Sequence, residues 1–470
     1  MSIRLFNTFS NSKEEFKTIE DKKVGMYLCG PTVYDYFHIG NARPLLMFDV
    51  FRRYLTYRDF DVTYVVNITD VDDKLIKKAN EEGKTVAEIA KKYTDAYFED
   101  TKKLRITPPD ISPKATDHID DIVKLIETLI KNGHAYELDG DVYYRVRSFD
   151  HYGDLSGKNI DDLQSGARVE VDERKEAPLD FALWKSAKPG EPFWDSPWGK
   201  GRPGWHIECS VMSMKYLGRN FDIHAGGVDL IFPHHENEIA QSEGATDGKF
   251  VNYWMHNGFL NIEGEKMSKS LGNFFTAREI LQTYEPEVIR MFFLLKHYRS
   301  PVNFSKERVH EAQQALDRIV TTMESIENIV DTDHVEKKSD SEFAGKLKHD
   351  FLEAMDDDFN TALAMGKIFE LVKEANLIMA KEQVSAAEKS LLNEIHQIIR
   401  EFDTFLAILP TEQKTSYNVN DEALIELILE IRRELRAKKE WKMADLIRDR
   451  LSELNIEIKD SKDGTNWRRK

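Results

Sequence analysis

The sequence predicts an α/β fold: a parallel-sheet half that carries an insertion, then a helical bundle, then a small C-terminal module. Three observations lead there. A strand–helix–strand pattern fills residues 23–68, and helical spacing takes over from Ala277 onward. Residues 431–470 hold 13 Lys+Arg against 8 Asp+Glu, a local net of +5 in a chain whose total is −17.

Taken in order, LysValGlyMetTyrLeuCys (23–29) reads as a buried strand, and the loop GlyProThrValTyrAspTyrPheHisIleGly follows it. Apolar and aromatic residues from Ala42 to Tyr57 recur at helical spacing, and AspValThrTyrValValAsnIle (61–68) supplies a second strand. Strand, helix, strand implies parallel pairing through a right-handed crossover. Residues 117–132 read as an amphipathic helix, and 135–146 as a hairpin around Asp139-Gly140, where the turn needs positive φ. The stretch 147–204 is rich in Gly, Pro and charge with little periodicity, and reads as an insertion into the α/β half. Segments 305–329, 341–380, 386–407 and 421–454 place apolar residues at i, i+3, i+4 and i+7. Polar, acidic stretches at 330–342 and 411–420 are the natural linkers. The domains are therefore expected at 1–275, with the insertion at about 115–204, at 276–410 and at 411–470.

Composition excludes several classes. With 41% hydrophobic and 32% charged residues among 470, the chain can build cores under a solvated surface, so disorder is not its dominant state. Its longest apolar runs, such as Met291–Leu295, are far short of the ~20 residues of a bilayer span. No secretory signal is visible at the N-terminus. Two cysteines, Cys29 and Cys209, argue against a disulfide framework and for a reducing cytosol. No G-x-x-x-x-G-K-[ST] occurs. Residues 199–204 match G-x-G-x-x-G, but Pro197 and Trp198 precede them instead of a strand and Pro203 blocks a helix, so a flexible loop beside a pocket is expected.

Three constellations carry chemistry. Cys29 ends the first strand, where open α/β sheets place their ligand crevice. Cys209 lies in TrpHisIleGluCysSer (205–210), and PheProHisHisGluAsnGluIleAla (232–240) follows. Pro233 is placed to open a helix, which sets His234 and Glu238 on one face at i,i+4, whereas His235 pairs with Ile239. Two thiols, an imidazole and a carboxylate can complete a tetrahedral Zn²⁺ site. Ligands this scattered form no local signature; His206 and His224 are rivals, and two buried cysteines are also ordinary core residues. The second constellation is His38-Ile39-Gly40-Asn41, where a loop meets a helix N-terminus that suits phosphate. The third is Lys266-Met267-Ser268-Lys269-Ser270 between Gly264 and Gly272, whose lysines can neutralise charge developing on a polyphosphate.

Together the second and third constellations resemble the paired signatures of class I aminoacyl-tRNA synthetases. Within that class the chain resembles the cysteinyl-tRNA synthetase family over nearly its whole length. The likeness runs through MetTyrLeuCysGlyProThrValTyrAsp (26–35), AsnIleThrAspValAspAspLys (67–74), TrpHisIleGluCysSer and residues 222–238. It continues in AspAspPheAsnThrAla (357–362), AlaAspLeuIleArgAspArgLeu (444–451) and GlyThrAsnTrpArg (464–468).

The resemblance implies a Rossmann-type catalytic domain, a helical bundle and an anticodon-binding tail. It implies one Zn²⁺ per chain, held by Cys29, Cys209, His234 and Glu238. It assigns ATP, taken as its Mg²⁺ complex, to His38, Asn41, Lys266 and Lys269, and the amino-acid pocket to Thr69, Trp205 and Asp229. The class motif usually ends in His where this chain has Asn41, which can donate a hydrogen bond but cannot be cationic. The implied partners are L-cysteine, ATP and tRNA(Cys), with no membrane, and the implied enzyme is a cytoplasmic monomer. Zinc answers a selectivity problem: an apolar pocket separates near-isosteres such as serine and cysteine by only about 10²-fold, whereas Zn²⁺ prefers a thiolate. Two other expectations stand beside this one. A related ligase can hand the same adenylate to a small-molecule amine, although the basic tail with Trp441 and Trp467 speaks against it. A catalytically silent, zinc-stabilised RNA-binding module is the third, and the intact Lys-Met-Ser-Lys-Ser speaks against that.

Overall fold

A computed structural model of the chain describes residues 2–159, 161, 174–262, 265–266, 275–330, 341–411, 421–454, 456–461 and 464–469. They form two compact units, Met1–Leu409 and Pro410–Lys470. Among the described residues, no helix is long and apolar enough to cross a membrane.

The first unit is organised around four parallel strands. The chain opens with an antiparallel pair, β1 (Arg4–Asn7) and β2 (Ser12–Glu15), then enters β3 (Lys23–Leu28). Helix α1 (Ile39–Tyr57) crosses to β4 (Asp61–Val66), which pairs parallel with β3 as the sequence predicts. Helices α2 (Asp73–Glu82), α3 (Val86–Lys103) and α4 (Ile119–Lys131) follow. Then comes the hairpin of β5 (Ala135–Leu138) and β6 (Asp141–Tyr144), whose Asp139 and Gly140 have φ of 53° and 87°. Two-residue turns with both φ positive match the twist of a hairpin.

The described residues of the segment 147–204 hold more regular structure than its composition predicts. β7 (Phe181–Ser186) and β8 (Gly201–Pro203) join the hairpin as a four-stranded antiparallel sheet, β5-β6-β7-β8. The expected flexible loop at 199–204 is therefore corrected: Gly201, Arg202 and Pro203 are a buried strand. Helix α5 (Trp205–Leu217) then returns to the main sheet, where β9 (Phe221–Gly227), α6 (Glu236–Thr246) and β10 (Val251–Asn257) follow.

The parallel sheet has the order β10-β9-β3-β4. The chain leaves β3 toward β4 on one side and later builds β9 and β10 on the other. The gap at the carboxyl ends of β3 and β9 is thus the topological switch point, where such sheets bind ligands.

A small sheet of β11 (Leu260–Ile262), β12 (Glu265–Lys266) and β13 (Val302–Phe304) comes next. The short helix α7 (Ala277–Ile280) and α8 (Pro286–Leu294) lie between β12 and β13 in the chain. Helices α9 (Lys306–Ile329), α10 (Glu342–Asp356), α11 (Thr361–Met379) and α12 (Ala386–Leu406) complete the unit. Their apolar faces share one continuous core with α1. The single helix expected over 341–380 is two: Asp358 and Phe359 adopt φ of 64° and 48°, which ends α10. The predicted linkers fall largely outside the described residues.

The second unit pairs α13 (Asp421–Ala437) with α14 (Trp441–Glu453), where the sequence predicts one helix, and Lys439 turns the chain at φ 62°. An antiparallel hairpin, β14 (Ile456–Ser461) and β15 (Gly464–Arg469), closes it. Its own core is Ile425, Leu429 and Leu451, with Ile456, Ile458 and Trp467 packed on it.

Candidate active site

The site grows from the carboxyl end of β3. Cys29 follows that strand directly, and its amide donates to the Ala225 carbonyl of β9 at 3.2 Å. The next residue has to be glycine: a Cβ on Gly30 would lie 1.6 Å from the Asn67 carbonyl oxygen. With that close approach allowed, the Gly30 amide donates to Asn67 Oδ1 at 2.8 Å. Thr69 then pairs with the loop after Cys29, donating to the Pro31 carbonyl and accepting from the Val33 amide, both at 3.2 Å. Its buried hydroxyl donates to Glu208 Oε2 at 3.0 Å. Burial pushes the Glu208 carboxyl well above the ordinary carboxylate range, with Cys209 adding to the shift.

Four predicted ligands converge. Cys29 Sγ lies 3.8 Å from Cys209 Sγ and 3.6 Å from Glu238 Oε1. His234 Nε2 lies 3.0 Å from the same Glu238 oxygen. One donor atom from each of the four sits within 4.8 Å of every other. Two sulfurs bound to one ion at about 2.3 Å in tetrahedral geometry stand about 3.8 Å apart, so this spacing suits a single cation. The local charge also suits one. The Cys209 thiol is lowered to about 6 by the Cys29 hydrogen bond and by His234. Burial lifts the Cys29 thiol well above its usual value. Burial opposes charge on His234 and Glu238 as well, yet Glu238 and Cys209 hold His234 up at about 10, and His224 and His234 hold Glu238 down at about 2. The protons on Cys29 and His234 are those a bound divalent cation would displace.

Residues 231–235 approach α6 through a wide turn in which Phe232 is extended, so Pro233 does not open a regular helix. The i,i+4 relation of His234 and Glu238 survives because Glu238 lies in the first turn of α6.

Several histidines surround this cluster, all buried except the half-buried His206. His224 Nε2 meets Glu238 Oε2 at 2.8 Å, and His206 Nδ1 meets His234 Nδ1 at 2.8 Å. His235, set aside from its register, reaches Cys29 Sγ with Nε2 at 3.3 Å and His256 with Nδ1 at 2.8 Å. Cys29, His224, His235 and Glu238 thus form a second, overlapping donor set. Sequence reasoning does not single out His256 or Glu208. The available signal is a polar side chain inside an otherwise apolar strand or helix face, which is costly to bury unless partnered.

Trp205 begins α5, is 40% exposed, and stacks on the His234 ring at 4.3 Å between centroids. Asp229 sits exposed in the turn after β9, with Oδ1 over Gly227. His38 caps α1: its Nδ1 accepts from the Asn41 amide at 3.2 Å, so the neutral ring carries its proton on Nε2. Lys266 ends β12, and Lys269 lies outside the described residues.

Comparison with known proteins adds to this geometry. Residues 15–314 match the family described as tRNA synthetases class I (C) catalytic domain. Residues 350–410 match the DALR domain, and 423–468 the cysteinyl-tRNA ligase anticodon binding domain. The chain is 51% identical over 479 residues to a cysteine–tRNA ligase of Desulfitobacterium hafniense, covering 99% of each chain. It is 52% identical over 470 residues to that of Shouchella clausii, again covering 99% of each. Among solved structures, Mycobacterium tuberculosis methionyl-tRNA synthetase in complex with methionyl-adenylate superposes with a TM-score of 0.61 at 15% identity, covering 82% of this chain and 90% of that one. A LeuRS–tRNA–LeuAMS ternary complex from Agrobacterium radiobacter K84 gives 0.60 at 12% identity, covering 84% and 85%. These two likenesses concern the fold.

Proposed function

The chain belongs to the cysteine–tRNA ligase family of class I aminoacyl-tRNA synthetases, and from that premise we propose that cysteine is selected by the cluster at the sheet's switch point. It is an ATP-dependent ligase that joins cysteine to tRNA. The observation that carries the selection step is the convergence of Cys29, Cys209, His234 and Glu238 on one point.

One Zn²⁺ per chain fits those donors, and when bound it supplies a soft Lewis acid that takes the substrate thiolate in preference to a hydroxyl. His234 is favoured over His235 as a ligand because it shares its donor set with both cysteines, whereas the set that contains His235 has Cys29 alone. Thr69 and Trp205 line the amino-acid pocket, and the Asp229 carboxylate receives the substrate ammonium.

Adenylate formation follows at α1. A carboxylate oxygen of cysteine bonds to the α-phosphorus of ATP, the bond from that phosphorus to the bridging oxygen breaks, and pyrophosphate leaves with Mg²⁺. His38, through Nε2–H, and the Asn41 side chain donate to phosphate oxygens beside the helix N-terminus. Lys266 and Lys269 meet the charge that grows on the leaving group. In the second step the hydroxyl of the terminal tRNA adenosine takes the cysteinyl group and AMP leaves.

The division of labour we propose is 1–275 for catalysis, with 115–204 inserted, 276–410 for the helical stem and bundle, and 411–470 for the anticodon. The enzyme is taken to work as a cytoplasmic monomer. A ligase serving a small-molecule amine has no use for an anticodon-binding domain, which residues 423–468 match.

Pyrophosphate exchange with cysteine and serine side by side tests this reading. Cysteine should win by well over the about 10²-fold that an apolar pocket affords. Equal exchange with serine would remove the thiol-reading metal. No exchange with cysteine would remove the adenylation site.

A further inference from the structure

Arg43 lies on α1 five residues beyond His38 and is completely buried. Among the described residues, every acceptor it reaches is a backbone carbonyl. Nη1 donates to Gly258 at 2.6 Å and Phe259 at 3.0 Å. Nη2 donates to His297 at 3.3 Å, Tyr298 at 3.0 Å and Ser300 at 2.6 Å. A buried cation with no carboxylate beside it is costly, and burial accordingly lowers its pKa to about 10.

The carbonyls come from two loops with related destinations. Gly258 and Phe259 lead into β11, and 297–300 lead into β13. Those strands pair parallel, Leu260 with Val302 and Ile262 with Phe304, while β12 pairs on the other side of β11 and ends at Lys266. The loops are pressed together: the Gly258 amide donates to the Tyr298 carbonyl at 2.9 Å, and a Cβ on Gly258 would lie 2.5 Å from the Arg299 carbonyl oxygen. Five carbonyl dipoles then point at one spot, and only a planar, multi-donor cation answers them together. Farther along the chain, the Ile39 amide donates to the Phe275 carbonyl and the Ala277 amide to the Phe37 carbonyl. The chain therefore leaves α1 through Arg43's grip and returns to it beside His38.

We propose that Arg43 is a positioning residue for adenylate formation: its guanidinium hangs the β11–β12–β13 sheet on α1, and so fixes the backbone of Lys266 relative to His38 and Asn41. This rests on the reading that those residues act on ATP.

Arg43→Lys in the full-length, zinc-loaded enzyme is the test, because lysine keeps the charge but cannot span both loops. The single-turnover rate of adenylate formation should fall at least tenfold. KM for cysteine, zinc content, and transfer from preformed cysteinyl-adenylate to tRNA should each stay within twofold. A general loss of structure would depress both steps together. An unchanged adenylation rate, or an equal loss in both steps, overturns the proposal. Should Arg43→Lys not fold, Gly258→Ala displaces the carbonyls while keeping the guanidinium, and the same asymmetry is expected. If neither variant folds, Arg43 only holds the core and the proposal falls. His38→Ala run alongside separates the premises: if it leaves adenylation intact, the assignment of ATP to α1 fails, whatever Arg43 does.

Discussion

At the scale of single residues, the cluster of Cys29, Cys209, His234 and Glu238 shows what a sequence can and cannot reveal. His234 and Glu238 are four apart, so their shared face is legible in the sequence alone. Cys29 and Cys209 stand 180 positions apart, and only the return of the chain to the switch point puts their sulfurs 3.8 Å from each other. Spacing cannot announce that pair. His235 escapes the register argument because the wide turn at 231–235 rotates it away from a regular helix. The proposed ligand set makes a direct prediction. Metal analysis of the purified chain should find one zinc, and Cys209→Ser should lower that content and raise KM for cysteine. A hydroxyl is the poorer zinc ligand and is far harder to deprotonate. Stoichiometric zinc retained by the Cys29→Ser, Cys209→Ser double variant would sink the assignment.

At the scale of elements, strongly periodic helices and the crossover unit are legible in the sequence, and irregular joints are not. Residues 341–380 keep apolar spacing through AspAspAspPheAsn (356–360), so nothing in the period marks a break. The break is made by tertiary hydrogen bonds. Asp358, fully buried, accepts from the Phe6 amide at 2.9 Å, the Tyr298 hydroxyl at 2.8 Å and Arg299 Nε at 2.8 Å. Those bonds hold it and Phe359 at positive φ, a conformation non-glycine residues seldom adopt unaided. β7 and β8 are hidden for another reason: β8 has only three residues, and both strands lie in a stretch rich in Gly and Pro, so composition outweighs alternation. Asp358→Ala should therefore cost about 2–4 kcal/mol, since it strands a buried hydroxyl and amide and removes the partner of Arg299. Removing the exposed Lys13–Asp357 pair beside it should cost less than ~1 kcal/mol. Denaturant melts of the two variants make the comparison, and equal losses would mean that the turn is held by something other than Asp358.

At the scale of the whole molecule, the chain separates into units with their own cores. The large cluster ends at Leu409, and the small one of Ile425, Leu429 and Leu451 belongs to the second unit alone. The basic block at the end of that unit, residues 431–470, is legible from charge counting, but the part its tryptophans play is not. Trp467 is taken up by its own unit, packing on that core and donating from Nε1 to Glu426 at 3.3 Å. Trp441, 54% exposed, is left as the ring able to stack on an unpaired base. Every proposed donor to metal, cysteine or ATP precedes Gly272, so adenylation should not require the second unit. A chain ending at Thr411 should fold and exchange pyrophosphate with cysteine at close to the full-length rate. Its charging of tRNA should collapse through weaker binding: the lost residues 412–470 sum to only +1, but their positive charge is gathered in 431–470, whose net +5 is available to the phosphate backbone. Counterion release makes such contacts salt-sensitive, so full-length kcat/KM for tRNA should fall with rising salt more steeply than that of the truncated chain. Both activities are measured on one preparation, which separates a folding defect from a binding defect. If truncation leaves kcat/KM for tRNA and its salt slope unaltered, residues 411–470 do not read RNA, and delivery of the adenylate to a small amine regains its standing.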